Sequence, residues 1–181
     1  AYCAVCSQGL LDAEDMSCLA AASIGVESDV VFVASTGMIG VELPMALIRQ
    51  NMGNIVLTES GGTDFSKSIM TTDSHNKEIA VSFTVDGKSA RLGGAAKGVG
   101  MIHPTMATML CFMTTDANVE PQFLQDSLSE AVGGSFNMID VDGDQSTNDT
   151  VIILANGASG SSIIEKDTDA AMAFTEALRY V

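Results

Sequence analysis

The sequence lacks the features of a nucleic-acid-binding protein. It has no tryptophan, and only 8 lysine and arginine residues stand against 23 aspartate and glutamate residues, giving a formal net charge of −15. Binding to a phosphate backbone requires clustered cations, which this composition does not supply. A strongly acidic surface is also repelled by anionic membranes. We therefore expect neither a nucleic-acid partner nor a membrane partner.

Long hydrophobic runs are absent as well. The uncharged stretch from Gly98 to Thr115 contains glycine, proline, histidine and several threonines, whereas a membrane span needs about 20 mostly apolar residues. The first residues show no basic segment followed by an apolar one, so no signal peptide is predicted. These absences predict a soluble, cytoplasmic protein.

The four cysteines form no recognisable metal-binding pattern. Cys3 and Cys6 are spaced like half of a zinc site or a redox pair, but His75 and His103 are isolated and no second pair follows. We expect small buried thiols in a reducing compartment, with neither a metal nor an organic cofactor.

What is present predicts one mixed α+β domain over residues 1–181. Apolar residues make up 46% of the chain, enough for a core. Alternating apolar residues before Asp86-Gly87, a favoured hairpin turn, indicate partly antiparallel sheet. The glycine-rich segment around Lys97 is expected to be flexible. Helices are predicted over 10–24, 44–53, 64–70, 121–133 and 167–180, and strands over 30–34, 78–85, 88–92, 108–114, 136–139 and 151–155.

Two short segments could carry chemistry. Lys97 is the only lysine or arginine between Arg91 and Lys166, so it could bind a carboxylate or stabilise a developing anion, or be an ordinary surface lysine. The segment 35–37, Ser-Thr-Gly, follows the strand predicted over 30–34, where a hydroxyl and backbone N–H groups can converge on an oxygen. Such segments are also common turns.

Two other candidate sites fail on spacing. A calcium loop starting at Asp140 would need glycine at its sixth position and glutamate at its twelfth, but Gln145 and Val151 stand there. We therefore expect an acidic turn held by side-chain-to-backbone hydrogen bonds, without calcium. His103 has no accompanying Gly-x-Ser-x-Gly motif, so a hydrolase triad is not indicated.

Four segments together have a more specific meaning. In chain order they are VASTGMIG (33–40), IMTTD (69–73), AKGVGMIHPTMATML (96–110) and VDGDQSTNDT (141–150). In these segments the chain resembles the glutamate N-acetyltransferase (ornithine acetyltransferase) family of arginine biosynthesis. The resemblance covers nearly the whole chain and implies the αββα sandwich of that family, which is similar to N-terminal-nucleophile enzymes.

The resemblance implies that the precursor cuts itself between Ala107 and Thr108, giving an α part, 1–107, and a β part, 108–181. Thr108 then becomes an N-terminal nucleophile, and its freed α-amine, with an ordinary pKa of about 7.7–8.0, serves as a base. An acetyl group would pass from N-acetylornithine to Thr108 and then to glutamate. Whether acetyl-CoA also donates acetyl groups is left open.

Further site residues follow from the same resemblance. Thr36 and Gly37 match the pair that stabilises the oxyanion. Substrate-binding positions are matched by Thr71, Lys97 and Thr108. Thr105 stands where the family usually has asparagine. The resemblance also implies a heterotetramer of two α and two β chains, no cofactor, and a chain that corresponds to the middle part of a family member.

Two alternatives stay open at this point. One is an amidase or aminopeptidase that uses the same Thr108 nucleophile for hydrolysis. The other is a fragment that binds ligands but does not mature.

Overall fold

The computed structural model describes residues 5–104, 106–107, 109–146 and 148–181. The strands are β1 (Lys77–Val85), β2 (Lys88–Lys97), β3 (Ile102–His103), β4 (Met106–Ala107), β5 (Leu110–Thr115) and β6 (Thr150–Ala155). The helices are α1 (Cys6–Ile24), α2 (Met45–Asn51), α3 (Gly62–Ser68), α4 (Pro121–Gly133) and α5 (Asp169–Tyr180), with short 3-10 helices at Ser28–Val30, Met52–Asn54 and Phe136–Met138.

The main sheet has the strand order β1-β2-β5-β6 and is mixed. β2 is antiparallel to both β1 and β5, whereas β5 and β6 are parallel. Asp86 and Gly87 have φ angles of 48° and 78°, as a two-residue turn of type I′ requires. The predicted α+β class and the predicted hairpin are confirmed.

One face of the sheet carries the core. Its side chains come from alternate positions of the strands, among them Val85 and Leu92, and α5 packs on this face. Phe174 of α5 is fully buried, and its ring meets the rings of Phe83 and Phe123. Because strand side chains alternate between faces, Lys97 lies on the opposite face, where Phe65 of α3 meets Phe112 edge-on.

Two predicted strands are wrong. Residues 30–34 form no strand, and Phe32 is 71% exposed. Residues 136–139 begin with a 3-10 helix, in which the N–H groups of Met138 and Ile139 donate to carbonyls three residues earlier. Both runs contain residues that favour strands, but a strand also needs a neighbour for its ladder, and the described chain supplies none at either place.

The segment predicted to be flexible, around Gly93 and Gly94, is instead the second half of β2. It is paired on both edges, with β1 and β5. A Cβ atom on Gly94 would lie 2.9 Å from a Val181 methyl carbon and 3.0 Å from Cγ of Met113. Glycine here therefore permits close packing between the sheet and the end of the chain.

Replacement of Phe174 by alanine tests the core. Phe174→Ala removes a fully buried ring, so we expect the free energy of unfolding to fall by about 3–5 kcal/mol. Chemical denaturation of the purified chain measures this loss. The matched control is Met172→Ala on the same helix, where the side chain is 62% exposed. Equal losses for both variants would contradict this description of the core.

Candidate active site

Lys97 is not a surface lysine. It is only 3% exposed, and its Nζ donates a hydrogen bond of 2.9 Å to Oγ1 of Thr71. Thr71 follows α3, and Lys97 ends β2, so the fold brings together two residues that are 26 positions apart. These are two of the three residues for which a substrate-binding role was predicted, the third being Thr108. Lys97 is also the register partner of Leu110 at the start of β5.

Asp73 organises this pair. Its side chain is 1% exposed, and its carboxylate accepts hydrogen bonds from the backbone N–H of Gly98 at 2.8 Å and of Thr71 at 3.4 Å. It also forms an ion pair with Lys77. Because Gly98 follows Lys97 directly, one carboxylate fixes the backbone at both members of the Lys97–Thr71 pair.

The electrostatics fit an anion-binding site. Burial disfavours the Asp73 carboxylate, but the bonds from Lys77, Gly98 and Thr71 outweigh it and lower the pKa to about 2. Burial also lowers the pKa of the Lys97 ammonium; Asp73 opposes this shift and Lys77 adds to it. Asp73 is thus ionised. It forms an ion pair with Lys77, and its negative charge also acts on Lys97. A carboxylate ligand would give the buried lysine a second partner.

The proposed oxyanion residues lie in a different segment. Thr36 is half-buried and Gly37 is exposed. The carbonyl of Ser35 accepts a 2.9 Å hydrogen bond from Nδ2 of Asn148. This bond connects the segment to the loop 140–149, which ends at β6. The two residues are 113 positions apart, so no local sequence pattern indicates the contact.

Of the two residues that form the predicted cleavage bond, the structure describes only Ala107. Thr108 lies outside the described residues, and so does Thr105. The backbone of Ala107 belongs to β4 and pairs with Ile102 of β3. Met109, on the other side, donates its N–H to Oδ1 of Asp149 at 3.2 Å.

The acidic turn is built as predicted. Oδ1 of Asp142 accepts from the N–H of Asp144 at 3.3 Å, and Oδ1 of Asp140 accepts from the N–H of Gly143 at 3.1 Å. Across the described ranges, no group of three or more histidine, cysteine or acidic side chains could hold a metal ion. Within the same ranges, no helix is long and apolar enough to cross a bilayer.

The prediction of buried thiols holds only in part. Cys111 is buried, and burial raises the pKa of its thiol to about 11. Cys6 and Cys18, both in α1, are exposed instead. Cys3 lies outside the described residues.

Sequence reasoning missed the residues that connect the site. Asp73 closes the IMTTD segment, and its position two residues after Thr71 could have suggested a local turn, but not its contact with Gly98. Asn148 and Asp149 lie in the VDGDQSTNDT segment, where only the turn was considered. Their partners are 113 and 40 residues away.

The comparison with known families agrees with the resemblance inferred from the four segments. A statistical model of the ArgJ family matches residues 1–181. The chain belongs to the ArgJ family.

Named relatives in this family cover the chain well. It is 46% identical over 173 residues to the arginine biosynthesis bifunctional protein ArgJ of Dehalococcoides mccartyi (strain CBDB1), an alignment that covers 96% of this chain and 43% of that protein. The protein of the same name from Oceanobacillus iheyensis is 50% identical over 150 residues, 83% of this chain and 37% of that protein. The chain therefore spans less than half the length of these relatives.

A solved structure supports the fold. The crystal structure of arginine biosynthesis bifunctional protein ArgJ from Bacillus halodurans matches with a TM-score of 0.53 and 35% identity. The match covers 59% of this chain and 55% of that chain. The predicted resemblance and the predicted fold class are thereby confirmed.

Asp73→Asn tests the buried carboxylate through pH. The pKa of Asp73 lies at about 2 in the folded chain, below the ordinary 3.8, so its ionised form stabilises the fold above pH 3.8. This contribution is lost as the pH falls toward 2. At pH 7 we expect Asp73→Asn to be less stable by about 2 kcal/mol, with the difference shrinking toward pH 2.

Denaturant unfolding of both proteins between pH 7 and pH 2 measures this difference. The matched control is Asp29→Asn, at an exposed position where the carboxylate accepts no hydrogen bond from any residue that the structure describes. A pH-independent difference between Asp73→Asn and the unchanged chain would contradict the assigned role.

Proposed function

We propose that this chain carries the acetyl-transfer centre of an ornithine acetyltransferase, which moves an acetyl group from N-acetylornithine to glutamate in arginine biosynthesis. The hydrogen bond between Lys97 and Thr71 carries this proposal, because it joins two expected substrate-binding residues, a buried lysine and an exposed threonine, in one site. Membership of the ArgJ family supports the same reaction.

Maturation precedes the reaction. The hydroxyl of Thr108 attacks the carbonyl carbon of Ala107, the peptide C–N bond breaks, and the nitrogen takes the hydroxyl proton. The product is an ester with a free α-amine, and water hydrolyses this ester to the carboxylate of Ala107 and the free hydroxyl of Thr108. Threonine suits both stages because its hydroxyl is a nucleophile and its freed amine is a base near neutral pH.

Acetyl transfer then proceeds in two steps. The Thr108 hydroxyl attacks the acetyl carbonyl of N-acetylornithine, its proton passes through the α-amine to the leaving nitrogen, and ornithine departs. The amine of glutamate attacks the acetyl ester and restores the hydroxyl. Each tetrahedral intermediate carries an oxyanion, for which Thr36 would supply a hydroxyl and Gly37 a backbone N–H.

Lys97 and Thr71 would hold the amino-acid substrate. Both substrates carry an α-carboxylate, and a buried ammonium next to a hydroxyl can donate to both of its oxygens. The same centre could accept acetyl groups from acetyl-CoA, in keeping with the word "bifunctional" in the names of the relatives. A heterotetramer of two α and two β chains in the cytoplasm, without a cofactor, completes the proposal.

Thr108→Ala tests maturation. We expect the intact mass of the freshly purified full-length protein to show two pieces that meet at Ala107 and Thr108, and the variant to stay whole because it has no hydroxyl. The control is Thr114→Ala, at an exposed position on β5, which should be cut normally. Cleavage of the Thr108→Ala protein at the same bond would refute the nucleophile assignment.

Lys97→Gln tests substrate binding in the matured full-length enzyme. A lost charge-assisted hydrogen bond of about 1.5–3 kcal/mol should raise KM for both amino-acid substrates about 10- to 100-fold. Steady-state assays that follow transfer to glutamate, and hydrolysis separately, measure this effect. The control is Lys166→Gln, at an exposed lysine. An unchanged KM would contradict the proposal, and hydrolysis without transfer would favour the amidase alternative.

A further inference from the structure

The acidic loop, defined here as residues 140–149, has no part in the chemistry described so far. The proposed reaction uses none of the loop's aspartates as a metal ligand. Only some of their hydrogen bonds lie within the acidic turn. Asp140 also contacts the His103 side chain at 3.4 Å. Asp142 and Asp149 accept hydrogen bonds from backbone N–H groups on either side of the proposed cleavage site. The loop is therefore placed to act on that site.

On the N-terminal side, Asp142 holds the hairpin that ends at the cleavage bond. Its Oδ2 accepts from the N–H of Met101 at 2.6 Å, and its Oδ1 accepts from the N–H of Ile102 at 3.1 Å. The N–H of Val141 donates back to the carbonyl of Ile102 at 2.8 Å. Ile102 in turn pairs with Ala107, whose carbonyl carbon is the atom to be attacked.

Met101 shows that this arrangement is imposed and not locally preferred. Its φ angle is 56°, in the left-handed region that residues with a side chain rarely adopt. Such a conformation persists where surrounding contacts fix it. One such contact is the hydrogen bond from the N–H of Met101 to the carboxylate of Asp142, which is also the main reason why the pKa of Asp142 is lowered.

On the C-terminal side, the end of the loop holds Met109. Asp149 accepts from the N–H of Met109 at 3.2 Å, and the N–H of Thr150 donates to the Met109 carbonyl at 3.1 Å. Asn148, next to Asp149, binds the carbonyl of Ser35 at 2.9 Å, immediately before the proposed oxyanion residues. One loop thus contacts Met109, which follows Thr108, and Ile102, which pairs with Ala107. It also contacts Ser35, next to the proposed oxyanion residues.

We infer that the acidic loop is the positioning element for self-cleavage, with Asp142 and Asp149 fixing the backbone on the two sides of Thr108. This inference rests on the proposed function. Intramolecular attack requires the hydroxyl oxygen and the carbonyl carbon at a distance of about 3–3.5 Å, and a displacement of about 1 Å can slow a reaction about 10²-fold. Asp142 is a positioning residue, since it acts through Ile102 on Ala107.

The test follows the cleavage rate of full-length precursor made in a cell-free system, by intact mass over time. We expect Asp142→Ala to slow cleavage about 10²-fold. Asp142→Asn keeps one oxygen acceptor, so it should slow cleavage less. The matched control is Asp144→Asn in the same loop, where the carboxylate accepts no hydrogen bond from a described residue; it should cleave at the normal rate.

A second measurement separates positioning from stability. We would measure the melting temperatures of Thr108→Ala and of Thr108→Ala combined with either Asp142 substitution, because these chains stay uncut. Cleavage of the Asp142 variants that retain Thr108 is then assayed well below the lowest of these melting temperatures. A rate that stays low in the folded chain supports positioning. A rate that returns to normal at the lower temperature would mean that Asp142 only stabilises the fold, and would overturn the inference.

The remaining outcomes are also decisive. Normal cleavage of Asp142→Ala, while Thr108→Ala stays whole, overturns this inference and leaves the proposed function standing. If the full-length protein without substitutions stays uncut, self-cleavage is overturned. The proposed role of the acidic loop in self-cleavage is then overturned as well. If Asp142→Ala does not fold, the comparison of Asp142→Asn with Asp144→Asn decides.

Discussion

A carboxylate that is almost completely removed from water must be supplied with hydrogen-bond donors, and Asp73 receives them from three parts of the chain. Its donors are the ammonium of Lys77 and the backbone N–H groups of Thr71 and Gly98. Leaving such a group without partners would cost several kcal/mol, so these segments are held together strongly. The bond to Gly98 and the pairing of β2 with β5 together fix the backbone at Lys97, whose ammonium donates to Thr71.

The same physical device recurs in the acidic loop. Aspartate side chains there accept hydrogen bonds from backbone N–H groups, at Met101 and Ile102 on one side and at Met109 on the other. In a chain with a net charge of −15, the acidic residues therefore include specific structural acceptors. Two of the four family segments, IMTTD and VDGDQSTNDT, thus contribute the carboxylates that bind the segment 96–110. The side-chain amide of Asn148 binds the segment 33–40.

Local signals in the sequence predicted the helices and the hairpin well, because helix periodicity and the Asp86-Gly87 turn depend on neighbouring residues. They failed where the structure depends on contacts with distant residues. Phe32 lies in a run that favours strands but has no partner among the described strands. Gly94 was expected to be flexible but is packed against Val181. For the site, the resemblance supplied a set of residues without their contacts. The role of Asp73 depends on a contact 25 residues away that no local pattern encodes.

The proposed reaction depends on the transfer of the acetyl group between the two substrates through Thr108. It is tested most directly by incubating the matured full-length protein with N-acetylornithine alone, quenching in acid, and mapping its peptides by mass spectrometry. We expect one acetyl group on the peptide that begins at Thr108, linked through the hydroxyl and lost when glutamate is added. Release of ornithine with no acetyl group on that peptide would contradict it.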